Sequence, residues 1–151
     1  MKNILVITDL SQQSEAAAEP ALALASALDT GEAKLTLLHV TELASDVQTS
    51  APHTATLDDY KKKVRRLAHA RLKELQVKLF GDRPFVRHEL VDGKVVWKSI
   101  CDYAEEHGAD VIVMTTHGRS GVAHAMLGSV AERVVRAATC PVLTVRVPGA
   151  A

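Results

Sequence analysis

Strand-like and helical stretches alternate along the whole chain, and this alternation constrains the fold more than any other feature. The strand-like runs are short, rich in β-branched residues and bounded by turn formers; they lie at 4–7, 34–40, 85–91, 110–114 and 141–147. Apolar residues at helical spacing fill 13–28, 57–80, 94–107 and 128–138. Each crossover must pack back on the sheet that it leaves. We therefore predict an α/β fold: an open five-stranded parallel sheet of order 3-2-1-4-5, with helices on both faces.

Three local features refine this scheme. Residues 85–91 alternate polar with apolar side chains, so we place this strand at an edge of the sheet. Pro20 either kinks the first helix or marks its first turn. The connection 41–56 is polar, small-residued and longer than most loops, and is either a flap over a site or an inert connector.

The composition is that of one globular domain, which we place at residues 1–148, with 149–151 as a tail. Its 18 basic and 18 acidic residues cancel, so there is no net field that would attract nucleic acid or an anionic membrane. No apolar run approaches the ~18 residues of a membrane span. Cys101 and Cys140 show no metal-ligand spacing, which favours reduced thiols and a cytoplasmic location.

The sequence lacks the common motifs of hydrolysis and metal binding. It has no phosphate loop of the Gly-x4-Gly-Lys type, no Gly-x-Gly-x-x-Gly dinucleotide loop and no His-Glu-x-x-His pair. No residue stands out as a general base, so we name no catalytic residue and no metal ligand. The basic run at 61–66 lies on an amphipathic helix that also carries acidic residues, which is typical of a solvated face.

Two loops would meet at the carboxyl edge of such a sheet, where open parallel sheets bind ligands. They follow strands one and four, at 7–11 and 115–127. Beyond the second loop, Ser129 and Glu132 have the spacing of a capping box that opens the last helix. The amides at this helix start could hold a phosphate, or the glycines before it could only turn the chain. Asp9 could accept a hydrogen bond from a ligand hydroxyl, or it could cap the first helix.

The second loop resembles a signature of the universal stress proteins, Gly-x2-Gly-x9-Gly-Ser/Thr. Here His117-Gly118 is followed by nine residues, Arg119–Leu127, and then by Gly128-Ser129. Thr115 occupies the place of the first signature glycine. The resemblance extends to residues 6–9, 38–40, 108–110 and 140–143, and so spans almost the whole chain.

The resemblance implies a fold like that of the adenine nucleotide alpha hydrolases and a site for ATP or a related adenine nucleotide, which Mg2+ could accompany. In nucleotide-binding members, residues at the positions of Thr8, Asp9 and Val40 contact the base and ribose. The ribose and phosphate side would be formed by Met114, Thr115, His117, Gly118, Arg119, Gly128, Ser129, Val130 and Ala131. Thr115 either adds bulk where glycine is usual or offers its hydroxyl to the ligand.

A regulatory role in a stress response is also implied, together with a homodimer joined through the last strand, at Val142, Leu143, Val145 and Val147. Three other hypotheses remain open. The protein could belong to the branch of the family that binds no nucleotide and acts by protein interaction. It could hydrolyse ATP slowly. It could also be a phosphoacceptor receiver domain, because Asp9, Asp92 and Thr115 end strands one, three and four.

Overall fold

The computed structural model describes residues 2–27, 31–42, 56–117 and 127–147, in which strands and helices alternate as predicted. The elements are β1 Asn3–Ile7, α1 Ala18–Ala27, β2 Lys34–Glu42, α2 Leu57–Phe80, β3 Val86–Gly93, α3 Val96–Glu106, β4 Val111–Thr115, α4 Ser129–Ala137 and β5 Val142–Val145. A short 3-10 helical segment, Gln13–Ala17, precedes α1.

The five strands form one parallel sheet of order β3-β2-β1-β4-β5, which confirms the predicted fold class and strand order. β1 lies in the middle: its Leu5 pairs with Thr36 of β2 on one side and with Ile112 of β4 on the other. β3 lies at one edge, as the alternating pattern of 85–91 predicts, and β5 lies at the other.

An apolar cluster covers each face of the sheet. Because side chains alternate along a strand, Ile4 and Val6 of β1 point to the face that α1 and α2 cover, while Leu5 and Ile7 point to α3 and α4. Right-handed crossovers that run in opposite directions from β1 must lie on opposite faces. The helices therefore change face where the strand order reverses, between β1 and β4.

The first helical stretch, predicted at 13–28, consists of two elements. The 3-10 segment comes first, and Pro20 is the third residue of α1. A proline in the first helical turn removes an N–H that has no intrahelical acceptor. Pro20 therefore lies in the first turn of the helix.

The long connection predicted at 41–56 is shorter at both ends. β2 continues to Glu42, and Thr56 caps α2. The hydroxyl of Thr56 accepts a hydrogen bond from the backbone N–H of Asp59 at 3.2 Å, and the Asp59 carboxylate reaches back to Thr56, which completes a capping box. Residues 43–55 and the tail 149–151 lie outside the described residues.

The outer side of α2 carries charges that are paired in solvent. Lys62 Nζ lies 2.8 Å from the carboxylate of Asp58, and Arg65 pairs with Asp92 of β3. The basic run at 61–66 is thus part of a mixed, solvated face. None of the helices in the described ranges is long and apolar enough to cross a membrane.

Both cysteines are free thiols, packed half-buried against the cluster under α3 and α4. Burial raises the pKa of the Cys101 thiol and of the Cys140 thiol above the ordinary value. Both are therefore protonated at neutral pH, and a protonated thiol is a poor nucleophile.

Candidate functional site

A cleft opens above the carboxyl ends of β1, β2 and β4, at the edge of the sheet where ligand binding is expected. Its volume is about 840 Å³, within the range of about 300–1,000 Å³ that is usual for small-molecule sites. The lining residues come from the strand ends, the loops that follow them and three helices: Ile7, Thr8, Asp9, Leu10, Ser14, His39, Val40, Thr41, Glu42, Val64, Leu67, Ala68, Arg71, Val96, Ile100, Met114, Thr115, Thr116, Gly128, Ser129, Val130 and Ala131.

The loop after β1 is fixed by its own side chains. The Thr8 hydroxyl lies 2.8 Å from the Ser14 hydroxyl and accepts a hydrogen bond from the Leu10 N–H at 3.0 Å. The Asp9 carboxylate accepts from the N–H of Ser11 at 3.0 Å, and Leu10 adopts a left-handed φ of 65°. Asp9 therefore closes a turn over Ser11 and does not cap α1, which begins later at Ala18. The turn holds the Asp9 side chain at the cleft.

The end of β2 is tied to the same loop. His39 Nδ1 lies 2.9 Å from the backbone carbonyl oxygen of Thr8. Because a carbonyl oxygen can only accept, Nδ1 carries the proton and donates it. Val40 is buried with the cluster under α3 and α4. The two strand ends thus form one rigid floor for the cleft.

At the end of β4, the side chain of Thr115 bonds to its own chain. Its hydroxyl donates to the carbonyl oxygen of His117 at 2.9 Å, and the hydroxyl of Thr116 lies 3.0 Å from His117 Nδ1. Since the hydroxyl hydrogen of Thr115 is already donated, this group can only accept a hydrogen bond from a ligand.

The start of α4 packs tightly on the end of β4. The Gly128 N–H donates to the carbonyl oxygen of Thr116 at 2.7 Å, and a Cβ on Gly128 would lie 2.8 Å from that same oxygen. Gly128 has an ordinary φ of −61°. The glycine is therefore required by close packing between two parts of the chain, whether or not a ligand is bound.

The capping box predicted at Ser129 and Glu132 is wrong. Gly128 is the N-cap of α4, Ser129 is the first helical residue, and no side chain caps this end. The reason is the hydrogen bond from Gly128 to Thr116, which fixes Gly128 as the N-cap of the helix. A capping box would need Ser129 at the N-cap, one residue later. The Glu132 carboxylate lies instead 3.0 Å from the guanidinium of Arg136.

This start presents backbone donors to the cleft. The first intrahelical bond of α4 runs from the Glu132 N–H to the Gly128 carbonyl at 2.9 Å. The N–H groups of Ser129, Val130 and Ala131 precede it in the chain, and all three residues line the cleft. Such amides, at the positive end of the helix dipole, are donors suited to a negatively charged oxygen.

The structure brings together nine of the twelve residues that the sequence predicts for the site. They are Thr8, Asp9, Val40, Met114, Thr115, Gly128, Ser129, Val130 and Ala131. His117 is described but does not line the cleft; its ring turns to Thr116. Gly118 and Arg119 lie outside the described residues.

Sequence reasoning missed the helical walls of the cleft. Val64, Leu67, Ala68 and Arg71 of α2 form one wall, and Val96 and Ile100 of α3 contribute to another. A signal was present in the length of α2. Its 24 residues span about 36 Å, whereas the nine residues of β2, which precede it, span about 30 Å. The helix is thus longer than the strands that it connects, and its first turns start from the edge of the sheet where β2 ends.

The charges at the cleft are mixed. Asp9 and Glu42 contribute carboxylates, and Arg71 contributes a guanidinium that also lies 3.3 Å from Glu74. Across the described ranges, no group of three or more His, Cys, Asp or Glu side chains is placed to hold a metal ion.

The family model of the universal stress proteins matches residues 1–146 of this chain. The chain belongs to the universal stress protein family. It is 33% identical to Universal stress protein MJ0531 of Methanocaldococcus jannaschii, over 97% of this chain and 83% of the relative. The solved structure of MJ0577, from the same organism, shares 29% identity and a TM-score of 0.73, covering 96% of this chain and 95% of the other. A universal stress protein solved in complex with cAMP shares 23% identity and a TM-score of 0.67, over 97% of each chain.

Family membership and topology together exclude the receiver hypothesis. Receivers have the strand order 2-1-3-4-5, in which the first and third strands are neighbours. Here β2 separates β1 from β3, so Asp9 and Asp92 do not converge. Asp92 is paired with Arg65 and does not line the cleft.

Proposed function

We propose that this universal stress protein binds an adenine nucleotide in the cleft and acts as a regulatory module of the stress response. The observation that carries the proposal is the convergence, in one cleft, of the Thr8–Asp9 loop, the end of β2 and the amides of Ser129, Val130 and Ala131. The cAMP complex of a family member with the same fold supports it.

The ligand would span the cleft from α4 to β2. Its phosphate would accept hydrogen bonds from the first amides of α4, and its ribose would lie near the Asp9 carboxylate, which suits a hydroxyl donor. Charge-assisted bonds contribute about 1.5–3 kcal/mol each, while association costs about 4–15 kcal/mol. A bare phosphate would therefore bind weakly, and the apolar part of the cleft is needed to hold a base.

Mg2+ would enter as a companion of the nucleotide. This cation favours near-octahedral oxygen coordination and is usually bound through one or two carboxylates plus substrate phosphates. Asp9 and Glu42 are the carboxylates that line the cleft. We expect Mg2+ to strengthen the binding of ATP or ADP more than that of AMP, and to have little effect on the free protein.

Thermal unfolding with AMP, ADP and ATP, each with and without Mg2+, tests the proposal. A ligand at about 100 times its Kd adds ~2.7 kcal/mol to the free energy of unfolding, which raises the Tm of a chain of this length by about 5–10 °C. UTP at the same concentrations controls for a general anion effect. A Tm that stays constant with every adenine nucleotide would contradict nucleotide binding.

A second candidate function is the nucleotide-free branch of the family, acting by protein interaction. The observation in its favour is Thr115, a buried branched residue at the place of the first signature glycine. A constant Tm in the experiment above, together with a stable protein complex from cells under stress, would favour this branch. Slow hydrolysis would show as phosphate release from ATP above the protein-free rate.

We also propose that the protein is a cytoplasmic homodimer joined through the last strand. β5 is an edge strand, and the side chain of Leu143 is 38% exposed; Val142 and Val145 flank it, and Val147 follows the strand. Leu143→Arg should convert a dimer to a monomer in light scattering at micromolar concentration, because it places a charge in the interface. Val77→Arg, at an exposed apolar residue of α2, should not. A monomeric parent protein would refute this part.

A further inference from the structure

Thr41, near the end of β2, carries a hydroxyl that has no hydrogen-bond partner in the described part of the chain. Its side chain is 5% exposed, and its Oγ1 is buried without a hydrogen-bond partner. Within the described ranges, Trp97 Nε1 and Tyr103 Oη share this property, but only Thr41 lines the cleft. Buried polar groups are nearly always hydrogen-bonded, so an orphaned hydroxyl in the wall of a binding cleft calls for a reason.

The direction of Thr41 follows from the alternation of β2. Leu35 and Leu37 pack in the cluster under α1 and α2, while Leu38 and Val40 pack under α3 and α4. Thr41 therefore shares the face of α2. A rotation of χ1 by about 120° moves the hydroxyl to another staggered position on Cβ, and Thr41 lines the cleft, so one such rotation can turn the hydroxyl toward a ligand.

Next to Thr41, the α2 wall consists mainly of apolar side chains, with Arg71 one turn further along, and the described structure leaves part of this wall exposed. Val64, Leu67 and Ala68 of α2 line this side of the cleft, and the Leu67 side chain is 62% exposed. A flat aromatic group against these residues would remove Leu67 from water, which is favourable. A single hydroxyl beside an apolar wall is the usual composition of a site for a heterocyclic ring.

The distance to the phosphate end is also suitable. β2 and β4 are separated by β1, and neighbouring strands lie about 4.8 Å apart, so the ends of β2 and β4 are about 10 Å apart. Gly128, at the start of α4, is bonded to the end of β4. A nucleotide with its phosphate on α4 is therefore long enough to place its base at β2.

We infer that Thr41 determines specificity in the nucleotide site: its hydroxyl hydrogen-bonds the base of the bound nucleotide, and Val64, Leu67 and Ala68 cover the ring. This inference rests on the proposed function, because it takes the phosphate to lie on α4. It adds to that function the part of the cleft that distinguishes one base from another.

Thr41→Val tests the inference, since valine has the shape of threonine without the hydroxyl. We expect two effects of opposite sign. The Tm of the ligand-free protein should rise by about 2–4 °C, because an unpartnered buried polar group is removed. The affinity for AMP, measured by calorimetry, should fall about tenfold. Thr41→Ser keeps the hydroxyl and should keep most of the affinity.

Thr36→Val is the matched control on the same strand. Thr36 is also buried, but its hydroxyl accepts a hydrogen bond from Arg87 Nε at 3.0 Å, and it does not line the cleft. We expect this variant to lower the Tm of the ligand-free protein and to leave the affinity for AMP unchanged. The two valine variants should thus move the Tm in opposite directions.

Adenosine separates the base from the phosphate. If Thr41 contacts the base, Thr41→Val should weaken the binding of adenosine and of AMP by the same factor. The inference would be overturned by any of three results. Thr41→Val could weaken the binding of AMP alone, it could bind AMP as tightly as the parent protein does, or its Tm could fall as that of Thr36→Val does. A parent protein that binds neither ligand would refute the proposed function itself and this inference with it.

Discussion

Replacing Ser129 by proline removes one backbone donor from the cleft, together with the serine hydroxyl, and leaves α4 in place. Ser129 is the first helical residue, the position where proline is most readily accepted. A residue before proline must be extended, and Gly128 already has φ −61° and ψ 152°. The first intrahelical bond of α4, from the N–H of Glu132, is not touched. We expect the ligand-free Tm of Ser129→Pro to equal or slightly exceed that of the parent protein.

The loss of affinity follows from the number of amides. If the N–H of Ser129 is one of up to three donors to a phosphate, its removal costs about 1.5–3 kcal/mol, the contribution of one charge-assisted bond. The Kd for AMP should then rise about 10- to 150-fold. At a ligand concentration of about 100 times the parent Kd, the stabilisation should fall from ~2.7 kcal/mol to about half of that or less.

Leu57→Pro provides the matched control. Leu57 is the first residue of α2, and Thr56 before it has φ −72° and ψ 156°, so the same backbone change is made at a helix start outside the cleft lining. Its affinity for AMP should equal that of the parent protein. Calorimetry gives the Kd, and circular dichroism shows that each variant is folded. The reasoning is refuted if Ser129→Pro is folded and binds AMP as tightly as Leu57→Pro does.

Three further predictions concern stability. Gly128→Ala should lower the free energy of unfolding by about 1–3 kcal/mol in urea titrations, because its Cβ would lie 2.8 Å from the Thr116 carbonyl oxygen; a neutral result would mean that α4 can shift. Asp110→Ala should lower the free energy of unfolding by about 1–2 kcal/mol, because the Asp110 carboxylate accepts hydrogen bonds from two backbone N–H groups at the start of β1, at 2.5 and 2.8 Å. These hydrogen bonds also lower the pKa of Asp110. The difference in stability between the variant and the parent protein should therefore shrink as the pH falls through that lowered pKa. Burial, and then the nearby His69, lower the pKa of His88, so its neutral form is favoured by folding and the protein should lose stability as the pH falls below about 6.5. His88→Gln should lose less stability than the parent protein over this pH range. Identical profiles of stability against pH for the two proteins would exclude His88 as the cause.

The features of the fold that sequence could predict are those set by local periodicity and general topology. β-branched runs and helical spacing locate all nine elements to within a few residues. Right-handed crossovers limit the possible topologies to a few, and the order 3-2-1-4-5 among them places Thr8 and Ser129 at one edge. These residues are far apart in the sequence, and they line one cleft because β1 and β4 are neighbours in the sheet.

What could not be predicted depends on single contacts between distant residues. The start of α4 is fixed by the bond from Gly128 to Thr116, 12 residues away, so the capping box that fits the local pattern does not form. The bond from the Thr115 hydroxyl to the His117 carbonyl oxygen is local, but it depends on the backbone conformation after β4, which the residue types do not specify. The α2 wall depends on where a long helix passes over the sheet edge, and its spacing alone does not reveal which of its apolar residues face a cleft.

Gly128 shows why the family signature is weak evidence for a ligand in any one member. A glycine that admits a phosphate and a glycine that admits the Thr116 carbonyl look alike in sequence, and here the second requirement is satisfied by the chain itself. Selection for the fold alone would therefore keep Gly128, even in a member that binds nothing. Thr41 and Leu67 are different, because the described structure gives the hydroxyl of Thr41 no partner and leaves Leu67 exposed. Substitutions at these two positions, outside the signature, should thus distinguish ligand binding from folding better than substitutions of the signature glycine.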